Sequence, residues 1–515
     1  MNGMLLSGER SLAQGEMLAR AARAASGFDA LGIGEESSVA MMLRNDFAFF
    51  EAAMGAGLLG AYAVPVNWHF TAEEAGYILR DCAARALVIH ADLLPRAAEA
   101  IPEGVAVFVV GTPPEIADAY GVEPAHAAVP DRLPPGWREW DAWVARHQGW
   151  TQPPRPARTN MIYTSGTTGR PKGVRRQPAT PEMQQAMAHM VEEAFDFRPG
   201  TAIRTVITGP VYHSAPNFYA LIAAQQGELT VLQPRFAAEE LLQLIERHRI
   251  THLHMVPTMF VRLLKLPAEI RDRYDLSSLR SVVHGAAPCS PTVKRQMIEW
   301  WGPVIHEYYG GTETGAVVFH NAEEALRKPG TVGRAIEGAI VRIYDPAGHA
   351  LAPGQIGEVY MRLGGFPDFT YNRMDEKRRE VERDGLTTCG DIGYLDEEGY
   401  LFLCDRVRDM VISAGVNIYP AEIEGVLITM PGVRDCAVFG IPDDEYGEAL
   451  CACIEPDDGT EIRPAAIQAF LARHLARYKI PKVFEFSSAL PREDSGKIFK
   501  RKLRAPYWEN AGRQI

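Results

Sequence analysis

The sequence has no Cys-x-x-Cys pair, no internal repeat, no low-complexity tail and no apolar run of membrane-spanning length. Each absence removes a class of protein. Seven cysteines (Cys82, Cys289, Cys389, Cys404, Cys436, Cys451 and Cys453) are an odd set without zinc-ligand spacing. Buried, reduced thiols are expected rather than a disulfide framework or a metal ribbon. No segment reaches the roughly 18 apolar residues of a spanning helix, so no integral membrane segment is expected. The start, Met1-Asn2-Gly3-Met4-Leu5-Leu6, lacks the shape of a signal peptide, and Arg513-Gln514-Ile515 is no peroxisomal address. Positive charge is outnumbered, with 53 Lys and Arg against 65 Asp and Glu. A net charge of −12 argues against nucleic acid as a partner. A cytoplasmic enzyme is what these exclusions leave.

What is present is globular. The chain has 515 residues, 47% hydrophobic and 23% charged, too many for one core, so two or more domains are expected. Residues 38–43 read as a strand, 47–59 as a helix and 62–66 as a second strand. A helix from about 72 and a strand at 86–89 repeat the pattern. Further apolar strands are expected at 105–110, 202–207, 229–232, 251–256 and 281–283, with helical patterns between several of them. Such alternation implies an α/β fold of mostly parallel sheets with flanking helices. The Pro- and Ala-rich stretch 111–157 reads as a loop-rich connection. From about 330, short strands separated by Gly and Asp suggest a β-rich subdomain. The last hundred residues read as a compact α+β unit. The boundaries expected are 1–404 for a large N-terminal domain, 405–409 for a hinge and 410–515 for a small C-terminal domain.

The most informative segment is Tyr163-Thr164-Ser165-Gly166-Thr167-Thr168-Gly169-Arg170-Pro171-Lys172-Gly173-Val174. Three glycines let the backbone turn its N–H groups inward, and four hydroxyls and a lysine add donors and charge. That is the chemistry of a phosphate cradle. It is not a Walker A loop, because Val follows Lys172-Gly173 where that motif needs Ser or Thr. Five further segments carry chemistry. Tyr308-Tyr309-Gly310-Gly311-Thr312-Glu313-Thr314-Gly315 combines aromatics, flexible backbone, a hydroxyl and a carboxylate. Thr387-Thr388-Cys389-Gly390-Asp391 sets a carboxylate in a tight turn. Asp405-Arg406-Val407-Arg408-Asp409 is a charge run on the expected boundary. Residues 413–424 read as strand, Gly turn, strand and a helix opened by Pro420. Pro491 to Arg501 encloses Lys497 in a polar, Gly-bearing loop.

Taken in this order, the six segments resemble the adenylate-forming enzymes: acyl-CoA synthetases, luciferases and peptide-synthetase adenylation domains. The pattern is closest to ligases of fatty or other hydrophobic acids, and it covers the chain from Asn45 to Arg501. The resemblance implies that ATP, Mg²⁺ and coenzyme A are used. It implies a nucleotide site of Thr164, Ser165, Gly166, Thr167, Thr168, Gly169 and Lys172, of Gly285, Ala286 and Ala287, and of Tyr309, Gly310, Thr312, Asp391 and Arg406. Within it Tyr309 would stack on adenine, Thr312 would meet the α-phosphate, and Asp391 and Arg406 would hold the ribose. Glu313 would help hold Mg²⁺, a hard cation that needs only one or two carboxylates beside phosphate oxygen. Arg408 would be the hinge, and Lys497 the lysine bridging the attacking carboxylate and the α-phosphate. Lys500, Arg501 and Lys502 read as surface charges. Cys389 stands where the family usually has Thr, and Arg408 where Asp or Lys is usual.

By the same resemblance, the acyl pocket is expected around Tyr212, His213, Ala215 and Phe218, around Gly285, and at Ala316. His213 would also gate the reacting carboxylate, a role weighed evenly against that of an ordinary hydrogen-bonded loop histidine. The pocket segments hold no Asp or Glu for a substrate ammonium. A hydrophobic carboxylic acid follows: a fatty, alicyclic, steroid-type or aryl acid. Coenzyme A would pass Ser413, Ala414 and Gly415, and Tyr446 could stack on its adenine. The expected partners are therefore small molecules, with a homodimer left open. Two alternatives stay open as well: an acyl-AMP ligase that loads a carrier protein, and a catalytically silent nucleotide- or acyl-binding protein.

Overall fold

The computed structural model describes residues 3–164, 171–406, 409–413, 416–443, 446–492 and 498–509. The alternating pattern at the start of the chain folds as expected. Strands Tyr62–Pro65, Ser38–Met42, Ala84–His90, Ala106–Val110 and Arg138–Glu139 pair side by side, all parallel. Parallel neighbours require crossover connections, and helices Phe47–Leu58 and Ala72–Asp81 supply them. Thr71 opens the second of these helices with a capping box closed by Glu74. The expected loop 111–157 is more ordered than its composition suggests. It holds helices Pro114–Tyr120 and Trp140–Ala145, and Trp140 is fully buried against Phe28 and Phe108.

A second sheet, of fourteen strands among the described residues, forms the centre of the chain. One half is parallel, through Leu229–Leu232, Arg204–Ile207, His252–Met255, Ser281–His284 and Ile305–Gly311. The other half is antiparallel, from Gly315–His320 through Thr331–Ala335 and Tyr400–Arg406 to Leu386–Leu395, Gly357–Leu363 and Ala339–Tyr344. The β-rich segment expected from about 330 therefore continues the parallel sheet instead of forming one of its own. The junction is the hairpin 305–320, where strand direction reverses. Reversals of this kind leave a crevice at strand ends, where ligands of α/β sheets collect.

A small antiparallel sheet of Ile162–Thr164, Lys172–Arg176 and Phe369–Tyr371 stands beside this junction. Past 410 the chain forms the pair Val411–Ser413 and Val416–Ile418, then helix Pro420–Leu427 with Pro420 at its first position. A three-stranded sheet of Val433–Asp443, Gly447–Pro456 and Val483–Phe486 follows. The apolar cores divide in the same place. One cluster runs from Leu5 to Leu401, and a separate one gathers Val411, Ile423, Val438 and Leu471. Cys451 and Cys453 share a face, as expected of residues two apart in a strand, and all seven cysteines are unpaired. No described helix is long and apolar enough to cross a membrane.

Candidate active site

A cleft lies between the sheet junction and the C-terminal residues. Its volume of about 3010 Å³ is several times that of an ordinary ligand pocket, so it can hold more than one small molecule. Most of the expected site residues that fall within the described part of the chain line it.

On one wall, strands Leu386–Leu395 and Tyr400–Arg406 put Asp391 opposite Arg406 in register. Arg406 Nε stands 3.2 Å from Asp391 Oδ1. The Tyr309 hydroxyl donates to the other oxygen, Oδ2, at 2.7 Å. Burial, and then the Asp391 charge, push the Tyr309 phenol well above its ordinary range, so it keeps its proton. The turn ahead of Asp391 is held by Thr388, whose hydroxyl donates to Glu358 and accepts from the Gly390 N–H. Cys389, in the place of the usual Thr, packs against Gly311, where an added Cβ would come 2.5 Å from its sulfur. Burial, then Glu313 and Asp391, push that thiol far up, so it is a neutral packing group here. Gly310 cannot be another residue, because a Cβ would sit 1.8 Å from the Gly315 carbonyl oxygen.

On the opposite wall, Thr164 and Lys172 are register partners in the small sheet. Lys172 is buried, its Nζ 4.9 Å over the Tyr371 ring. Burial, followed by the nearby Lys377, lowers its pKa. The Tyr371 hydroxyl donates to Glu313 Oε1 at 3.0 Å.

The third wall is apolar. Two buried asparagines set its backbone. Asn45 accepts from the Val211 N–H and donates to the Gly209 and Gln233 carbonyls. Asn217 donates to the Val211 carbonyl at 2.7 Å. These bonds fix the segment leading to His213, which stands at the N-cap position of helix Ser214–Gln226 without a side-chain cap bond, and the first turn presents Ala215 and Phe218 to the cleft. Tyr212 is buried with its ring edge-on to Trp68. Gly285, Ala286 and Ala287 leave strand Ser281–His284, and Ala286 takes a left-handed φ of 66°. That backbone costs a non-glycine residue about 1 kcal/mol. The sequence reading missed Met187, Met190 and Phe195 of helix Pro181–Phe195, and also His254, and gave Tyr308 no role of its own. His254 Nε2 lies 3.0 Å from the Tyr308 hydroxyl. Helical spacing in 181–195 was the available signal for the first three.

Some expected residues are not gathered there. Ser413 ends its strand away from the cleft lining, and Tyr446 is exposed under the Lys482 ammonium at 4.0 Å. Ser165, Gly166, Thr167, Thr168, Gly169, Arg408, Ala414, Gly415 and Lys497 lie outside the described residues. Lys500 is a correction. It is no surface charge: it lines the cleft and pairs with Glu424 Oε1 at 2.7 Å. Burial opposes its charge, but Glu424, Asp405 and Asp409 outweigh that and raise its pKa.

Comparison with known proteins shows the family. The chain matches the AMP-binding enzyme family over residues 4–365 and the AMP-binding enzyme C-terminal domain over 422–497. It is 30% identical to the fatty acid–[acyl-carrier-protein] ligase ScoC of Streptomyces coeruleorubidus over 98% of this chain and 93% of that one. It is 33% identical to a feruloyl-CoA synthase of an Amycolatopsis species over 96% of this chain and 94% of the relative. The ATP-bound structure of MatB from Rhodopseudomonas palustris superposes with a TM-score of 0.81 at 27% identity, covering 99% of this chain and 97% of that one. A cleft at a sheet reversal, walled by a small hairpin sheet and a tyrosine–aspartate–arginine group, thus occurs in a chain that belongs to the AMP-binding enzyme family.

Proposed function

We propose the following division of labour for the reaction. The chain is an AMP-forming acid–thiol ligase. A hydrophobic carboxylate attacks the α-phosphate of ATP, giving acyl-AMP and pyrophosphate. The thiol of coenzyme A then attacks the acyl carbon and expels AMP. Neither step needs a protein nucleophile, so positioning and electrostatics carry the catalysis. Tyr309, Asp391 and Arg406 hold the nucleoside, with Asp391 accepting from ribose hydroxyls. Thr164, Thr312, Lys172 and the 165–170 loop take the phosphates. His213, Ala215, Phe218, Gly285 and Ala316 enclose the acid. Lys497 supplies the charge that offsets the developing negative charge at the α-phosphate.

Glu313 fits Mg²⁺ by its chemistry. It offers a hard carboxylate oxygen to the cleft, and no described lysine, arginine or histidine lies within ion-pair distance of it. When bound, the ion would neutralise phosphate charge.

The chain divides at 405–409, in the cytoplasm, with Arg408 as pivot. The domain carrying Lys497 withdraws before the thiol enters past Ser413, Ala414 and Gly415. The observation that carries the reading is the Tyr309–Asp391–Arg406 group facing Lys172 and Glu313 across one cleft. Its test is pyrophosphate release over a panel of fatty, aryl and alicyclic acids, with and without coenzyme A. Thioester and AMP that depend on coenzyme A are expected. A second reading, transfer to a carrier protein, is favoured by the likeness to ScoC. Acyl-AMP that forms but ignores coenzyme A would select it, and silence with every acid would defeat both.

A further inference from the structure

Strand Lys172–Arg176 carries a buried cation that no motif accounts for. Arg176 lines the cleft and is only 5% exposed. Its neighbour Arg175 points to the other face, as strand alternation dictates, and meets Glu36 at 3.2 Å. Among the described residues, no carboxylate comes within ion-pair distance of Arg176. Its Nε donates to the Pro367 carbonyl, and its Nη2 donates to the carbonyls of Thr312 at 2.6 Å and Glu313 at 2.7 Å. The guanidinium also lies over the rings of Phe366 and Phe369. Burial pulls its pKa down to about 10, with Glu313 and Asp368 opposing, so it stays charged at neutral pH. Buried charge without a carboxylate partner is costly to hold. Here carbonyl dipoles and ring faces take the partner's place.

A second contact converges on the same residue. Tyr371 lies on strand Phe369–Tyr371, which pairs with Lys172–Arg176. Its hydroxyl donates to Glu313 Oε1. No described residue donates to Oε2. Glu313 belongs to the turn of the fourteen-stranded sheet, between Ile305–Gly311 and Gly315–His320. Arg176 and Tyr371 belong to the small sheet whose strands bracket the 165–170 loop. Glu313 is therefore gripped from a different sheet at both ends, by its backbone carbonyl and by its carboxylate.

We propose that Arg176 and Tyr371 are positioning residues for Glu313: acting from two paired strands of the small sheet, they fix the carboxylate so that Oε2 faces the metal–nucleotide in one orientation. The proposal rests on the reading of Glu313 as the Mg²⁺ carboxylate. A donor fixed on one carboxylate oxygen limits the side chain to few rotamers, and such outer contacts commonly govern metal affinity.

The test compares Tyr371→Phe, Arg176→Lys and Glu313→Gln, with each of the first two also placed in the Glu313→Gln background. One arm measures the Mg²⁺ concentration giving half-maximal pyrophosphate exchange at fixed ATP and acid. The other measures Mn²⁺ retention by enzyme with ATP and no acid, by electron paramagnetic resonance. Tyr371→Phe and Arg176→Lys should each raise the half-saturating Mg²⁺ about tenfold and weaken Mn²⁺ retention in parallel. The KM for the acid should stay as it was, and neither substitution should add to the loss in the Glu313→Gln background. Tyr371→Phe removes a single oxygen from a retained ring, so it decides the matter even if Arg176→Lys does not fold. Unchanged metal dependence in Tyr371→Phe, or an equal further loss without Glu313, would overturn the proposal. A wild type silent with every acid would defeat the ligase reading alone, because the Mn²⁺ arm still reads the geometry of Glu313.

Discussion

Tyr309 and Asp391, 82 residues apart in sequence, share a 2.7 Å hydrogen bond in which the phenol donates to Oδ2. The bond leaves Oδ1 to Arg406 at 3.2 Å and turns the carboxylate edge toward the cleft. Asp391→Ala would leave the Tyr309 hydroxyl and the Arg406 guanidinium without their shared acceptor. In the ligase reading it also removes the group that accepts from the ribose. A hydrogen bond to a charged group is worth about 1.5–3 kcal/mol, so the KM for ATP should rise at least about tenfold. Tyr309→Phe keeps the ring and should cost less. Steady-state kinetics of pyrophosphate exchange with ATP varied would check both, and an unchanged KM in Asp391→Ala would remove Asp391 from the nucleotide site.

Lys500 makes a separable prediction about the C-terminal part. Its Nζ meets Glu424 Oε1 at 2.7 Å, and the same oxygen accepts from the Val438 N–H. Lys500→Met would leave Glu424 and the neighbouring Asp405 facing each other without a cation. The cost of breaking such a pair from one side, reduced for partial exposure, is on the order of 2 kcal/mol. Adding Glu424→Gln should return most of that stability, because the orphaned charge is then gone. Urea unfolding of the two single variants and the double variant measures the cycle. Additive losses would show that the pair is not coupled.

The contrast between Lys500 and Arg176 shows what the sequence made legible. Strand and helix alternation in 38–90 was readable because apolar periodicity there is set by burial on both faces of a parallel sheet. Among the described residues, the loop segments that line the cleft were readable because glycine, hydroxyl and carboxylate order in a loop carries its chemistry locally. Sheet membership was not. Thr331–Ala335 and Tyr400–Arg406 look like any short β-rich segments, and only long-range pairing joins them to the parallel strands. Charged residues were the other blind spot. Arg175 and Arg176 are adjacent and identical, yet one meets Glu36 and the other clamps the Glu313 backbone. Which face is buried depends on Phe366 and Phe369, almost two hundred residues away. The apolar wall of the cleft was half-legible for a similar reason, since Met187, Met190 and His254 reach it from elements without a motif.

Buried histidines, His254 and His284 foremost with His252 and His306 beside them, set an acid limit on the fold. Burial pulls His254 from the ordinary value of 6.5 to about 4. It pulls His284 to about 3, although Glu307 at 3.9 Å opposes the shift. Both are therefore neutral in the folded chain at pH 5, whereas the unfolded chain binds their protons below 6.5. The unfolded state holds more protons in this window, so stability falls as pH drops from 6.5 and is flat above about 7. Each histidine contributes about 1.4 kcal/mol per pH unit within the window. Chemical unfolding at pH 5, 6 and 7.5 should show this slope, and His284→Gln should reduce it by one histidine's share. An identical slope in the variant would mean that His284 gains its proton without unfolding.

Lys265 ties the two parts of the chain together from the end of helix Pro257–Leu264. Its Nζ donates to the carbonyls of Val433 and Arg434, each at 3.1 Å, and to Asp457 Oδ1 at 3.0 Å. Three acceptors from the C-terminal part thus converge on one lysine of the large part, and any rotation about 405–409 must break all three bonds. The lysine is 36% exposed, and an exposed contact of this kind is worth no more than about 1 kcal/mol to folding. Its effect should fall on orientation instead. Lys265→Met should leave the unfolding midpoint within the spread of surface variants, while releasing the C-terminal part to sample other orientations. Trypsin should then cut between 404 and 411 several-fold faster, because a backbone segment freed from its contacts enters a protease more readily. Limited proteolysis at fixed temperature, with fragment masses read against time, decides this. Equal cleavage rates in wild type and variant would mean that contacts other than Lys265, such as Ala421 N–H to Asp405 at 2.9 Å, hold the arrangement.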